Sequence, residues 1–452
     1  MTHRRPIPPA PRRPHRSGWT GWLAVSAGLF AVPVIGTAPA GATAPVRAAL
    51  PPRHINHIIV VDLENESYPT TFGPGSPATY LNGVLRKKGE LLTNYYGTGH
   101  DSLDNYITQV SGQAPTKDTQ ADCSANGFTY AAVEPGTPAP TDPAAPGQVV
   151  GDGCVYPAGV KTIASQLDQK YPPNPKTHVA GWREYAQDMG NVASRDGGVP
   201  DPTGGTDCAH PALGATDMAE AATPADQYAN RHNPFVWFHS VIDNTAECDA
   251  NVVPLGTLAA GGKPAPGGHL ARDLAEASTT PHFAFITPNL CNDGHDATCA
   301  GTNSTGGHTG GLAGADLFLS HWMPLILGSP AYKEGDTLVV VTFDEAAVDP
   351  SNPAYAAACC HEPTGPDTAS PGNAAATTDQ FPGGGRVGAL LLSTRWITPG
   401  STDNVPYNHA SALRSYEDLL GLTSGGSDGQ GHLGEAGAQG LRPFGPDVFH
   451  SH

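Results

Sequence analysis

The sequence predicts an α/β fold with a mostly parallel central sheet flanked by helices, and three observations predict it. Three runs, His57 to Asp62 (HIIVVD), His282 to Thr287 (HFAFIT) and Thr337 to Phe343 (TLVVVTF), are apolar without alternation, as in strands buried on both faces. Segments of helical periodicity stand between them. Each run then leads into polar residues: Glu64-Asn65, Asn292-Asp293 with His295-Asp296, and Asp344-Glu345. Open parallel sheets gather ligands at those strand ends.

Taken in order, the chain opens with Arg4, Arg5, Arg12, Arg13 and Arg16, then an apolar stretch from Trp22 to Ile35 that is short for a membrane span. Small residues follow, and both Ala38-Pro39-Ala40 and Ala40-Gly41-Ala42 fit an export cleavage pattern. Residues 1–42 are expected to be a signal peptide, with an uncleaved anchor as the alternative. A flexible leader is expected over 43–53, a catalytic domain over 54–422 and a mobile C-terminal tail over 423–452. No later segment is apolar enough to span a membrane, so none is expected after cleavage, and the expected location is secreted or on the cell-envelope exterior. Eight cysteines agree with an oxidising compartment. Their short loops suggest Cys123–Cys154 and Cys291–Cys299, with adjacent Cys359 and Cys360 each bonding a separate partner.

A formal net charge of −18 argues against a nucleic-acid partner, whose phosphates would be repelled. Short helices are expected over Tyr80 to Lys88, Val160 to Lys170, Ala315 to Leu327 and Ala410 to Leu420. Further strands are expected at Thr177 to Gly181 and Val387 to Ser393, and Pro234 to Phe238 is another short apolar run. Residues 114–158, 189–225 and 350–384 are loop-like, with a Pro/Ala/Thr tract over 134–147.

Between these elements lies Gly99 to Gly112, GHDSLDNYITQVSG. A polar turn precedes Leu103, Tyr106, Ile107 and Val110, which recur at helical spacing. Ser102 therefore falls at a helix start, where unpaired N–H groups favour an anion. It is either an N-cap, contributing about 1 kcal/mol, or a nucleophile whose attacked phosphate rests on the helix. Asn105, one turn on, could donate to a phosphoryl oxygen.

A single acidic strand end is ordinarily structural. Three of them, with Ser102 and with His409 at a second helix start, crowd charge that a cation would neutralise. Carboxylate, amide and hydroxyl groups are hard ligands, favouring Mg²⁺, Mn²⁺ or Ca²⁺, with zinc possible.

The segments ENES, GHDSLDNYITQVSG, NDGHD, TFDE and NHASALRSYEDLLGL, in this order, resemble the bacterial phosphoesterase family of secreted acid phosphatases and C-type phospholipases. That family is similar in fold to the alkaline phosphatase superfamily, so an alkaline phosphatase-like architecture is implied. The match runs over roughly residues 54–422 and is poor in the three long loops. It implies that Ser102 is the nucleophile and that Asn105 holds a phosphate oxygen. Glu64, Asn65, Ser102, Asp344 and Glu345 would hold one divalent metal. Asp344-Glu345 replaces the superfamily's Asp-His, which speaks against a second zinc. Asn292, Asp293, His295 and His409 stand where second-metal ligands would be. They would instead bind phosphate (Asn292, Asp293) and protonate the leaving group (His295, His409). His232, in Arg231-His232-x-Pro234, would touch phosphate or serve as a core or capping histidine. His100 reads as a loop residue, and Trp182 and Tyr185 as core or pocket wall.

The expectation is a secreted phosphoric-ester hydrolase, first an acid phosphatase acting through a phosphoserine. A phospholipase C-like diesterase is the alternative, and a non-catalytic exported metal- or glycan-binding protein a more distant one. The expected partner is a phosphate-ester small molecule or a phospholipid headgroup.

Overall fold

The structure is a computed structural model, and it describes residues 55–123, 128–130, 147–149, 153–172, 181–217, 222–259, 263–264, 268–360, 383–426 and 428–450. The expected signal segment, the leader, nearly all of the 134–147 tract, the expected strand from 177 to 180 and most of the 350–384 loop lie outside them.

The central sheet contains β1 (His57–Leu63), β2 (Glu90–Leu92), β3 (Trp182–Ala186), β4 (Val252–Pro254), β5 (Phe283–Thr287), β6 (Thr337–Phe343), β7 (Ala389–Leu392) and β8 (Thr402–Asp403). Their order is β8-β2-β7-β6-β1-β5-β3-β4. Every neighbouring pair is parallel except the two made by β7, so β7 alone among these runs against the rest. The three apolar runs are the three central strands. All residues of β1, β5 and β6 are buried, which explains why they carry no alternation. β3 was not foreseen, because Arg183 and Glu184 interrupt its apolar character. In the fold Arg183 pairs with Asp273, and buried Glu184 accepts the Thr287 hydroxyl at 2.9 Å. β4 is too short to read, and its Pro254 is tolerated because the strand lies at an edge.

The helices used below are α1 (Ser102–Ser111), α2 (Ile163–Lys170), α3 (Gly311–Ile326) and α4 (His409–Leu420). The Tyr80 to Lys88 helix shrinks to a single turn over Leu81–Leu85, and Pro234–Trp237 forms a buried 3-10 turn. α1 packs against α4 and that turn. Among the described residues no helix is long and apolar enough to cross a membrane.

Two expectations are corrected. Residues 428–450 are not a mobile tail: Leu433, Ala436, Phe444, Val448 and Phe449 are buried. Glu435 N donates to Gly112 O at 2.7 Å, and Phe444 N to Ser415 Oγ at 2.8 Å, so the segment clasps the C-terminal end of α1 and the middle of α4. The Gly-rich composition concealed apolar anchors that follow no periodic spacing. Cys359 and Cys360 bond to each other, because Cys123–Cys154, Cys208–Cys248 and Cys291–Cys299 engage the remaining six cysteines.

The contact between this segment and α4, where Leu433 N donates to Glu417 Oε1 at 2.9 Å, carries a pH dependence. Burial pushes Glu435 and Glu417 each up to about 8 from 4.5. Between those values the folded protein keeps protons that the unfolded chain releases, so stability is full at acid pH and falls as pH rises towards 8. Melting temperature is expected to drop from pH 5 to pH 8, and Glu435→Gln is expected to flatten that slope. A wild-type slope retained in the variant would remove Glu435 from this account.

Candidate active site

Parallel register assembles the site. β6 and β5 flank β1, so the residues leaving all three strands meet at one edge. The ladder continues past the strand ends through Asp344 N to Leu63 O and Glu64 N to Asp293 O, both 2.9 Å. Glu64, Asp293 and Asp344 are thereby buried side by side. Asn65 follows with φ 44, a left-handed conformation that asparagine adopts more readily than most residues. Its backbone N–H donates to Asp344 Oδ1 at 3.0 Å.

The two readings of Ser102 are separated by its hydrogen bonds. An N-cap oxygen accepts from helix N–H groups, whereas Ser102 Oγ donates to Glu64 Oε2 at 2.9 Å. Ser102 is the first residue of α1, and the Leu103 N–H is bonded instead by Asp122 Oδ1 at 2.8 Å. The serine hydroxyl therefore faces the carboxylates and does not cap the helix.

One partner of this centre, Tyr106, was not singled out from sequence, and it meets the expected His232. Tyr106 OH donates to Glu64 Oε1 at 2.6 Å. Its ring stacks on His232 with centroids 5.4 Å apart and planes 9° from parallel. His232 Nε2 stands 3.4 Å from Glu64 Oε1, and Nδ1 3.8 Å from Asp293 Oδ2. Burial, with Arg231 and His295 adding, holds His232 well below the usual imidazole range, so it is neutral.

Three expected site residues are placed differently. Asn105 is buried with its amide turned to the loop before the serine. Its Oδ1 accepts from Thr98 N and Gly99 N, and its Nδ2 donates to Gly99 O and Asp101 O. Asn105 thus shapes the turn that carries Ser102. Asn292 likewise braces its own loop, joining Gln187, Asn289 and Ser304. Glu345 turns to His100 Nδ1, while His100 Nε2 donates to Tyr355 O at 3.0 Å. Successive residues leaving a strand point to opposite sides, so Asp344 and Glu345 do not share one focus.

His409 is also reassigned. Its Nε2 lies 2.6 Å from the Asp344 carbonyl, which can only accept, so Nε2 carries the hydrogen. Nδ1 then accepts from Tyr95 OH at 3.1 Å. With both nitrogens engaged and its value pushed down to about 4 by burial, His409 is a neutral strut behind Asp344 and not a proton donor.

His295 differs from it in every respect. Its side chain is 45 % exposed, and Nδ1 lies 3.0 Å from Asp296 Oδ1. The Asp296 hydrogen bond, reinforced by Glu64 and Asp293, raises it to about 9, so it is cationic at acid and neutral pH. Its backbone N–H donates to Asp293 Oδ1 at 3.0 Å.

The residues fit a hard divalent cation. Asp344 is held well above the usual carboxylate range by burial and by Glu64 and Asp62. Asp293 is pushed up to about 8 by burial and by Glu64, and its Oδ2 is buried without a hydrogen bond. Such a cluster resists ionisation unless a cation enters. The Asn65 amide group lies 3.1 Å from Asp344 Oδ1 and 3.2 Å from Glu64 Oε2. Hydrogen bonding alone turns its NH₂ to them, and beside a cation its oxygen would join theirs.

The phosphoesterase family model matches residues 77–423, more than half of the chain. The chain belongs to the phosphoesterase family. Ser102, His232, Asp293, His295, Asp344 and His409 lie within the matched span, and Glu64-Asn65 precede it. The chain is 27% identical over 278 residues to a phosphate-repressible acid phosphatase of Penicillium chrysogenum, covering 61% of this chain and 45% of that protein. It is also 27% identical over 292 residues to an acid phosphatase of Aspergillus niger, covering 64% and 48%. The chain thus spans about half the length of these fungal relatives, and the family is not confined to bacteria. Among solved structures it is similar to a Vibrio parahaemolyticus protein in the alkaline phosphatase superfamily, at 12% identity and TM-score 0.41, covering 83% of this chain and 68% of that one.

Proposed function

We propose that this phosphoesterase hydrolyses phosphate monoesters through a phosphoserine on Ser102, as an exported acid phosphatase. The observation that carries the proposal is the Ser102 hydroxyl, aimed from a helix start at the Glu64 carboxylate and bonded to it. Export is supported by the four disulfides, and acid phosphatase activity by the names of the relatives.

Glu64, Asn65, Asp344 and Ser102 would hold one divalent ion, which when bound supplies a lowered serine pKa and neutralises phosphoryl charge. Ser102 Oγ attacks phosphorus in line and passes its proton to Glu64 Oε2, its present acceptor. The ester P–O bond breaks, and the departing oxygen takes a proton from cationic His295 at the mouth of the site. Water then attacks phosphorus from the same side, His295 accepts its proton, and phosphate leaves as Ser102 recovers its hydrogen from Glu64. Asp293 and neutral His232 line the side opposite Asp344.

The test is phosphate release from 4-nitrophenyl phosphate, against bis(4-nitrophenyl) phosphate and choline release from phosphatidylcholine. Preference for the monoester is expected. Faster cleavage of either diester would replace this proposal with the phospholipase C-like one, and no cleavage of any would leave a binding protein.

His295 and His409 separate on leaving groups. An alkyl ester needs a proton for departure, whereas an aryl ester with an acidic phenol needs little help. His295→Asn is expected to lose about 10²-fold on the alkyl ester and much less on the aryl ester. His409→Asn is expected to affect both equally. Equal losses for His295→Asn would remove its general-acid role.

A further inference from the structure

Glu64 divides its two carboxylate oxygens between two residues of the same helix. Ser102 and Tyr106 are four apart, so they project from one face of α1 over the end of β1. Ser102 donates to Oε2 and Tyr106 to Oε1, at 2.9 and 2.6 Å. All three side chains are buried, so neither bond is exchanged with water. His232 Nε2 also faces Oε1, yet at 3.4 Å it stands too far for a good hydrogen bond. The tyrosine ring is itself fixed by stacking on that histidine.

We propose that Tyr106 is a positioning residue that locks the Glu64 carboxylate with Oε1 on the tyrosine and Oε2 on Ser102, the orientation in which Glu64 would help to hold a divalent cation. The bond made to Oε1 is the shorter of the two, at 2.6 Å, and a hydroxyl bond to a carboxylate strengthens once a neighbouring cation holds that carboxylate ionised. Without it only the Ser102 bond to Oε2 resists the turning of the carboxylate about its last bond. The inference rests on the proposed metal-assisted hydrolase reading, and the experiment keeps the two apart.

Tyr106→Phe removes one oxygen and keeps the ring that stacks on His232. Tyr106→Leu removes both. Mn²⁺ titration by calorimetry, kcat and KM at saturating Mn²⁺, and melting temperature are measured for each. Tyr106→Phe is expected to lose roughly 10- to 100-fold in Mn²⁺ affinity or in kcat, as outer-shell partners of metal ligands typically do. Its KM is expected to stay within about twofold and its melting temperature close to wild type. Tyr106→Leu is expected to lower the melting temperature as well. Wild-type Mn²⁺ affinity and wild-type kcat in Tyr106→Phe overturn the positioning role, as does a loss of melting temperature equal to that of Tyr106→Leu. A wild-type chain that hydrolyses no ester, but whose Mn²⁺ affinity Tyr106→Phe still weakens, overturns the hydrolase reading and leaves the positioning role standing.

Discussion

Ser102→Ala is expected to lower turnover of a phosphomonoester by about 10³-fold or more, because it removes the atom on which the proposed mechanism carries the phosphoryl group. The same change is expected to alter stability by only about 1 kcal/mol. The serine does not cap its helix, since Asp122 bonds the Leu103 N–H. Rate and melting temperature measured on one preparation decide the matter. A variant with more than one-tenth of wild-type activity would end the nucleophile assignment. Acid quenching of the wild type with a labelled substrate should leave label on a peptide containing Ser102.

Chelation is the second large effect. Glu64, Asp293 and Asp344 are buried together, and burial with mutual repulsion raises the last two. Removing a cation from such a cluster is expected to reduce turnover by on the order of 10³-fold, with recovery on adding Mg²⁺, Mn²⁺ or Ca²⁺. An ion bound only by the folded chain at about a hundred times its dissociation constant adds roughly 2.7 kcal/mol of stability, so melting temperature should rise with the ion. Elemental analysis should find about one ion per chain. Asp344→Asn keeps the shape and the acceptor for Asn65 N but removes a charge, and is expected to behave like the chelated protein. Full activity in chelator, or two tightly bound zinc ions, would overturn the single-cation site.

The core strands were legible because strands covered on both faces need unbroken apolar side chains, and 57–63, 283–287 and 337–343 have them. β3 was illegible for the converse reason. Its Arg183 and Glu184 are polar by type and become tolerable only through Asp273 and Thr287, from distant parts of the chain. The tail was misread because Leu433, Phe444 and Phe449 are spaced irregularly among glycines, and irregular spacing gives no period to detect.

The site divides in the same way. By itself the sequence determined that Ser102 begins a helix and that Glu64, Asp293 and Asp344 follow buried strands, since local spacing settles both. Whether Ser102 caps its helix or turns to Glu64, whether Glu345 or Asp344 faces the focus, and whether His409 or His295 is the exposed, cationic histidine were decided only by tertiary structure. Each choice depends on which distant group meets a side chain: Glu64 for Ser102, His100 for Glu345, the Asp344 carbonyl and Tyr95 for His409. Tyr106 makes the point most plainly. Its ring fits the apolar stripe of Leu103, Ile107 and Val110, so nothing in the spacing marks its hydroxyl, and only the approach of β1 gives that oxygen a carboxylate to hold.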